Sequence, residues 1–547
     1  MAPRPAMISG WTTPGNGTKK GKIAVKIDVY DTTLRDGSQG EGISFSVEDK
    51  IKIARRLDAF GMNFIEGGWP GAVSKDTEFF ARLKAEPLRR AKLAAFGSTR
   101  KANSDVARDA NLRALLDAQT PVVTIVGKAS AWQVTEALRV ALDEGLAMIA
   151  DSVAFLKSEG REVIYDAEHF FDGYKSDSDY ALRALDAAVR SGVDVLCLCD
   201  TNGGTLPHEI FDIVTAVGQR FGGITLGMHP HNDADCGTAN ALAAVRAGAT
   251  HVQGTVNGYG ERTGNANILS VAAALRLKMG LDCLTDEAMS DLTKLSAFVD
   301  EVANVSPNPK AAYVGRNAFT HKAGLHADAI SKAPRAYDHI EPTDVGNVRR
   351  LLVSEQSGSA TIAQKASDMG YELNKKSPEA RAILAEVTEK EHQGYAFEGA
   401  EASFELLLKK ATGRYHKLFD VKGFRVLVER RAGDPAPITE ATLRLKVGDE
   451  EFLTVAEGDG PVHALDNALR SGLLRFYPQL ARIRLADFKV RVVTMGEGTA
   501  AKVRTIVDSA ADHGAIWSTV GVSTNIIESS YQALVDAIEY GLLKETK

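Results

Sequence analysis

The fold class this sequence predicts is α/β: a closed parallel (β/α)8 barrel of the TIM type, then a helical linker region, then a C-terminal α+β regulatory domain. Three observations predict it. From Val25 to about Leu281, short β-branched or apolar runs alternate with amphipathic helical stretches across Gly/Ser/Asp corners. Beyond Leu281 that rhythm stops and helical patterns follow one another. Beyond about Glu401 the chain holds a weak internal repeat. The boundaries expected are a loose tail over 1–22, a barrel over 23–284, a helical linker over 285–400, and a regulatory domain over 401–547.

The candidate strands, in order, are Ile27–Tyr30, Asn63–Ile65, Leu93–Phe96, Val122–Val126, Glu162–Tyr165, Val193–Leu198, Ile224–Met228 and Thr250–Thr255. Between them lie stretches such as VEDKIKIARRLDAFG and ALRALDAAVRSG, with apolar residues at i, i+3 and i+4 and a closing glycine. Eight such units in about 255 residues match the size and period of a barrel. An open doubly wound sheet usually carries a glycine-rich phosphate turn after its first strand, and here that corner is the charged Asp31-Thr32-Thr33-Leu34-Arg35-Asp36-Gly37. The linker pattern is helical, joined by polar turns at Ser306–Pro309 and Ala333–Arg335, without strand alternation. The two repeats, Ala441–Leu474 and Ala501–Leu543, each read as strands, a glycine-containing turn and a helix ending near Gly-Leu-Leu. Two copies suit a pseudo-symmetric module; a solenoid needs at least three.

Composition narrows the function. The chain has 547 residues, 44% hydrophobic and 25% charged, and 65 basic against 71 acidic residues leave a formal charge of −6. No basic excess exists to neutralise phosphates, so nucleic acid is not an expected partner. No run approaches the length of an apolar membrane span. The tail lacks the apolar core of a signal peptide. Four cysteines in so long a chain suggest a reducing, cytoplasmic compartment.

Catalytic groups of a parallel barrel collect where its strands end. Arg35 and Asp36 follow the first candidate strand, Glu66–Pro70 the second, Glu168 and His169 the fifth, and Asp200–Asn202 the sixth. His229 and His231 end the seventh. Residues two apart on a strand face one side, so these imidazoles can chelate one divalent ion, with a carboxylate such as Asp36 completing a facial set. Mixed N/O ligands fit Mn²⁺, Mg²⁺, Co²⁺ or Zn²⁺. An isolated His-x-His is as often a cap or a packed pair; the carboxylate on the same rim favours the metal. Cys197 and Cys199 also share a strand face, but no second Cys pair or nearby His completes a zinc set, so buried packing is the reading. The loop Asn257–Asn265, with Gly258, Gly260 and Glu261, follows the last strand, where barrels often bind phosphate through backbone N–H groups.

Several of these segments resemble one known family. Leu34-Arg35-Asp36-Gly37-Ser38-Gln39 with Lys50, the His229–Asp233 segment, and Gly260–Asn265 match the signatures of the 2-isopropylmalate, homocitrate and citramalate synthases. Phe319–Asp328 resembles the segment that supplies a catalytic His from the linker, and the repeat resembles the family's allosteric domain. Glu66–Gly71, Asp166–Gly173 and Val353–Gly358 look most like the longer, citramalate-forming type. One position departs: where the second signature has Gly two residues after its Asp, this chain has Asp235, which bears on the local turn and not on the ligands before it.

The resemblance implies a metal-dependent Claisen condensation of acetyl-CoA with pyruvate, giving citramalate and CoA on the pyruvate route to isoleucine. It implies Asp36, His229 and His231 as ligands with Asn265 as a fourth or nearby contact, and Arg35 as oxyanion stabiliser. It also implies Glu168 and His326 as acid/base groups, with Asp328 orienting the His. Tyr337 can reach the site or simply pack, and Thr201 can bond the pyruvate carboxylate or cap a helix. A homodimer with isoleucine as effector is implied too. The alternatives are 2-isopropylmalate synthase, with a bulkier acceptor, and a carbon–carbon lyase like hydroxymethylglutaryl-CoA lyase, which would not need the third section.

Overall fold

The structure, a computed structural model, describes residues 25–322, 326, 329–330, 332–353, 358–430, 432, 436–494, 498–512 and 514–545. The tail expected over 1–22, and Asp328 and Ser354–Ser357 singled out above, lie outside those residues. The chain forms two compact units, one running to Phe319 with Ile340–Val348, the other combining Thr320–His339 with Arg349 onward.

The first unit is the barrel. Strands β1 (Asp28–Asp31), β2 (Phe64–Gly68), β3 (Lys92–Ser98), β4 (Val122–Lys128), β5 (Glu162–Glu168), β6 (Val195–Asp200), β7 (Thr225–Pro230) and β8 (His251–Gly254) close in sequence order. All neighbours are parallel, and β8 returns to β1 with Asp28 opposite His251. Alternation along the strands divides the core in two. Tyr30, Phe64, Ala94, Val122, Ile164, Val195 and Cys197 form one buried cluster. Their successors or predecessors Val29, Ile65, Ala95, Val123, Val163 and Leu196 belong to the larger core shared with the helices. The helix Val47–Phe60 shows how sequence sets an element. Ser46 and Asp49 make a capping box, Ile51, Ala54 and Leu57 face the core, and Gly61 ends the helix at φ 104°. Each such buried Ile or Leu is worth about 1.5–3 kcal/mol.

All eight expected strands are present, but β2 and β5 run three residues further than their apolar runs. Glu66 and Glu168 therefore lie within strands, held in register by β3 and β4.

In the second unit, two two-residue strands, β9 (Thr320–His321) and β10 (Arg350–Leu351), pair in parallel where only helices were expected. Helices Ser359–Asp368, Pro378–His392 and Glu401–Ala411 pack around Ile362, Ile383, Phe404 and Leu408. Two βββα motifs follow. The first is β11 (Asp420–Glu429), β12 (Ile438–Val447), β13 (Glu450–Gly458) and helix Pro461–Leu473; the second is β14 (Ile483–Val492), β15 (Val503–Ala511), β16 (Ile516–Ser523) and helix Ile526–Glu545. Their helices share one core with Leu443, Leu445, Val507 and Ile483. The repeat is real, and each copy begins one strand earlier than its sequence pattern.

Candidate metal centre and active site

Asp36, His229 and His231 are buried, and each offers a ligand atom within 4.8 Å of the others. Asp36 sits on the turn after β1, His229 lies in β7 and His231 directly follows that strand, with Nε2 of His229 3.1 Å and Nε2 of His231 3.7 Å from Asp36 Oδ2. Asn265 joins them through a backbone bridge to His231. Three buried atoms here, Asp36 Oδ2, His231 Nδ1 and Asn265 Oδ1, lack a hydrogen-bond partner. Buried polar groups are rarely left so, and an imidazole nitrogen and an amide oxygen orphaned beside a carboxylate are a donor set that fits a divalent cation.

Electrostatics favour the ligand form of Asp36. Burial opposes its charge, but Arg35 and His229 outweigh burial and hold the carboxyl far below its usual range. Burial and the neighbouring His229 push His231 down to about 4, so it stays neutral with a lone pair free.

Arg35 reaches the same place from the other side. Its Nε donates to Glu66 Oε2 at 2.6 Å, Nη1 lies 3.5 Å from Asp36 Oδ1, and the guanidinium sits 3.8 Å over the Phe96 ring. Burial alone would lower its pKa, but Glu66 and Asp36 raise it. Glu66 is fully buried and also accepts from Tyr30 Oη at 2.6 Å and from the Thr32 hydroxyl. Sequence reasoning noted Glu66 only as a rim residue; its role as the anchor of Arg35 was missed, and an Arg four residues past one strand, beside a strand that carries a Glu, was the available signal.

Glu168 ends β5 and is half-buried, with Oε2 2.5 Å from Nζ of Lys128 at the end of β4 and Oε1 3.9 Å from His169 Nε2. Lys128 had not been singled out. Thr201 does not cap a helix: its hydroxyl accepts from the His169 backbone N–H at 2.8 Å, so its own proton remains to be donated. The loops after β6, β7 and β8 are tied by Arg262, which is bidentate to Asp233 at 2.8 and 2.9 Å and donates to Thr201 O at 2.8 Å. Asp235 adopts φ +56°, a left-handed conformation that aspartate tolerates, so the turn after the His229–Asp233 run is made without a glycine.

Beyond β8, Gly258, Gly260 and Gly264 all have positive φ. A Cβ on Gly260 would lie 2.2 Å from Asn265 Nδ2, and one on Gly264 1.9 Å from Gly258 O. The glycines thus let the loop fold over Asn265, while Glu261 stays exposed. His326 and Tyr337 belong to the second unit, where their rings stack at 4.1 Å with Tyr337 half exposed. Tyr337 packs on the histidine. Cys197 and Cys199 are buried free thiols beside Asp166. Burial raises both thiol pKa values, Cys199 to about 11, so they remain protonated and poor ligands, in keeping with packing.

Known proteins match the whole of this arrangement. Residues 26–299 match the HMGL-like family, 313–394 the homocitrate synthase post-HMGL domain-like family, and 398–542 the LeuA allosteric (dimerisation) domain. An (R)-citramalate synthase of Geobacter sulfurreducens is 51% identical over 95% of this chain and 98% of its own. One of Aquifex aeolicus is 49% identical over 96% and 99%. A 2-isopropylmalate synthase of Pyrococcus furiosus is 28% identical over 94% and 99%.

Proposed function

The chain belongs to the (R)-citramalate synthase family and is an acyltransferase, and from that premise we propose that its barrel rim condenses acetyl-CoA with pyruvate to (R)-citramalate, with a divalent ion held by Asp36, His229 and His231. One observation carries the reading: three ligand atoms converge within 4.8 Å at the strand ends, beside a buried guanidinium.

Asn265 would be a fourth or neighbouring contact, and Mn²⁺, Mg²⁺, Co²⁺ and Zn²⁺ all suit such a set. The bound ion supplies Lewis acidity toward the keto oxygen of a 2-oxo acid. Arg35, aimed by Glu66, stabilises the negative charge that develops on the enolate or alkoxide oxygen. A methyl proton of acetyl-CoA is weakly acidic, so a positioned base must take it, and Glu168 and His326 are the two groups for this work. The carbanionic methyl carbon then bonds to C2 of pyruvate, the alkoxide takes a proton, and water cleaves the thioester to release CoA. Thr201 donates its free hydroxyl proton to the pyruvate carboxylate. Gly258, Gly260 and Glu261 line the loop suited to the phosphate-bearing end of CoA. The C-terminal module would bind isoleucine at or near a two-fold interface of a cytoplasmic homodimer.

The test is CoA release from acetyl-CoA over a panel of 2-oxo acids with each metal. Pyruvate is expected to give the highest kcat/KM, with weaker activity on bulkier acids because each extra methylene is worth only about 1–3 kcal/mol. Faster turnover of 2-oxoisovalerate would move the assignment to 2-isopropylmalate synthesis.

A further inference from the structure

We propose that Gln253 and Asp166 form a polarity lock that fixes the tautomer of His229 and so turns its Nε2 lone pair toward the metal position; the inference rests on the metal reading above.

Gln253 lies in β8, fully buried, and its Oε1 is 2.7 Å from His229 Nδ1. An amide oxygen can only accept, so at this distance the imidazole carries a proton on Nδ1, and Nε2, on the Asp36 side, is the nitrogen left to serve as a ligand. That conclusion depends on which way the amide faces, and the surroundings decide it. Gln253 Nε2 is 3.1 Å from Asp166 Oδ1 on β5 and 3.4 Å from His251 Nε2 on its own strand. Flipping the amide would place its oxygen against the Asp166 carboxylate and its N–H₂ against His229, losing one bond and creating a repulsion in a site without water access. Each link is buried: Asp166 is 2% exposed, Gln253 0%, His251 1% and His229 5%. The lock therefore runs from β5 across the barrel interior to β8 and then to β7. Gln253 and Asp166 are positioning residues. Metal-ligating histidines usually donate their second N–H to such a partner, and removing the partner typically weakens metal binding 10–100-fold.

Binding of Co²⁺ to the full-length, metal-stripped enzyme, followed by calorimetry and by the ligand-field absorption of the bound ion, tests this apart from turnover. Gln253→Met should weaken Co²⁺ binding by roughly 10–100-fold, and Asp166→Asn, which frees the amide to flip, should weaken it by less. The swapped pair Gln253→Glu with Asp166→Asn keeps a donor on β5 and an acceptor facing His229, and should bind within a few-fold of the wild type. If Gln253→Met binds Co²⁺ like the wild type, or the swapped pair is as weak as Gln253→Met while still melting cooperatively, the lock is wrong. Should Gln253→Met fail to fold, the comparison of Asp166→Asn with the swapped pair decides alone: equal affinity overturns the proposal. If the wild type itself takes up no Co²⁺, the metal reading fails, and that outcome is distinct because it appears before any substitution.

Discussion

Arg35 owes its usefulness to a carboxylate that never meets solvent. Glu66 is fully buried and receives three donors, from Arg35, Tyr30 and Thr32. A planar guanidinium clamped through Nε and stacked on Phe96 keeps its remaining N–H groups aimed at the rim. Breaking such a buried pair on one side costs about 3–5 kcal/mol, because the other charge is left without compensation. Glu168 is built differently. It is paired with Lys128 at the strand ends, and both side chains keep about a fifth of their surface exposed. The acid/base role proposed for Glu168 fits that partial access, whereas an anchor needs none. Glu168→Ala should therefore leave the thermal transition nearly unchanged and lower kcat by roughly 10²-fold or more, measured by CoA release at saturating pyruvate. A rise confined to KM would make Glu168 a substrate-positioning group instead.

At the scale of elements, the loop after β8 converts glycine placement into ligand placement. Asn265 Nδ2 donates to Tyr259 O at 3.1 Å, and Gly260 makes room for that side chain at φ +151°. The loop is anchored from outside by Asn257, whose Nδ2 donates to Asp300 at 2.6 Å and to Ser296 O at 3.0 Å. Gly260→Ala would set a methyl 2.2 Å from Asn265 Nδ2 and add backbone strain of about 1–3 kcal/mol. The expected outcome is a displaced Asn265 with the barrel intact: an unchanged far-ultraviolet circular dichroism spectrum and a loss of roughly tenfold or more in affinity for Mn²⁺ read by titration. Unaltered Mn²⁺ affinity would remove Asn265 from the metal's surroundings. The same elements show what sequence can reveal. Buried parallel strands are near-continuous apolar runs, so β1 to β8 stand out. Their polar ends do not, because Glu66-Gly67-Gly68 and Asp166-Ala167-Glu168 read as corners although they remain hydrogen-bonded in the sheet. Strands β11 and β14 were hidden for a related reason: most of their residues are exposed or half-buried, so no buried face marks them. His229 and His231 were legible because they are two residues apart. Gln253 and Asp166 are 87 residues apart, and nothing local links them.

At the scale of the whole molecule, the net charge of −6 and the lack, among the described residues, of any helix long and apolar enough to cross a membrane leave the apolar surface of the second unit as its least ordinary feature. One face of the β11–β12–β13 sheet packs Leu443 and Leu445 against the helix Pro461–Leu473. The opposite face carries Leu427, Ile438, Leu453 and Val455, between 51% and 62% exposed. Cross-strand register places them together: Leu427 pairs with Glu440, Leu453 with Arg444 and Val455 with Thr442, all on the side away from the helix. A sheet face of this kind is costly to leave in water and marks an association surface. Isologous pairing of two copies would bury each patch against its twin, and Arg444, on the central strand beside Leu453 and ion-paired with Glu451, would lie within the contact. Leu453→Asp combined with Val455→Asp changes only exposed side chains, so each subunit should still fold. If the proposed homodimer forms through this face, sedimentation velocity is expected to show it replaced by a monomer, with any response to isoleucine weakened in parallel and CoA release by the barrel measured on the same samples. A persistent dimer in that double variant would place the two-fold contact on another surface.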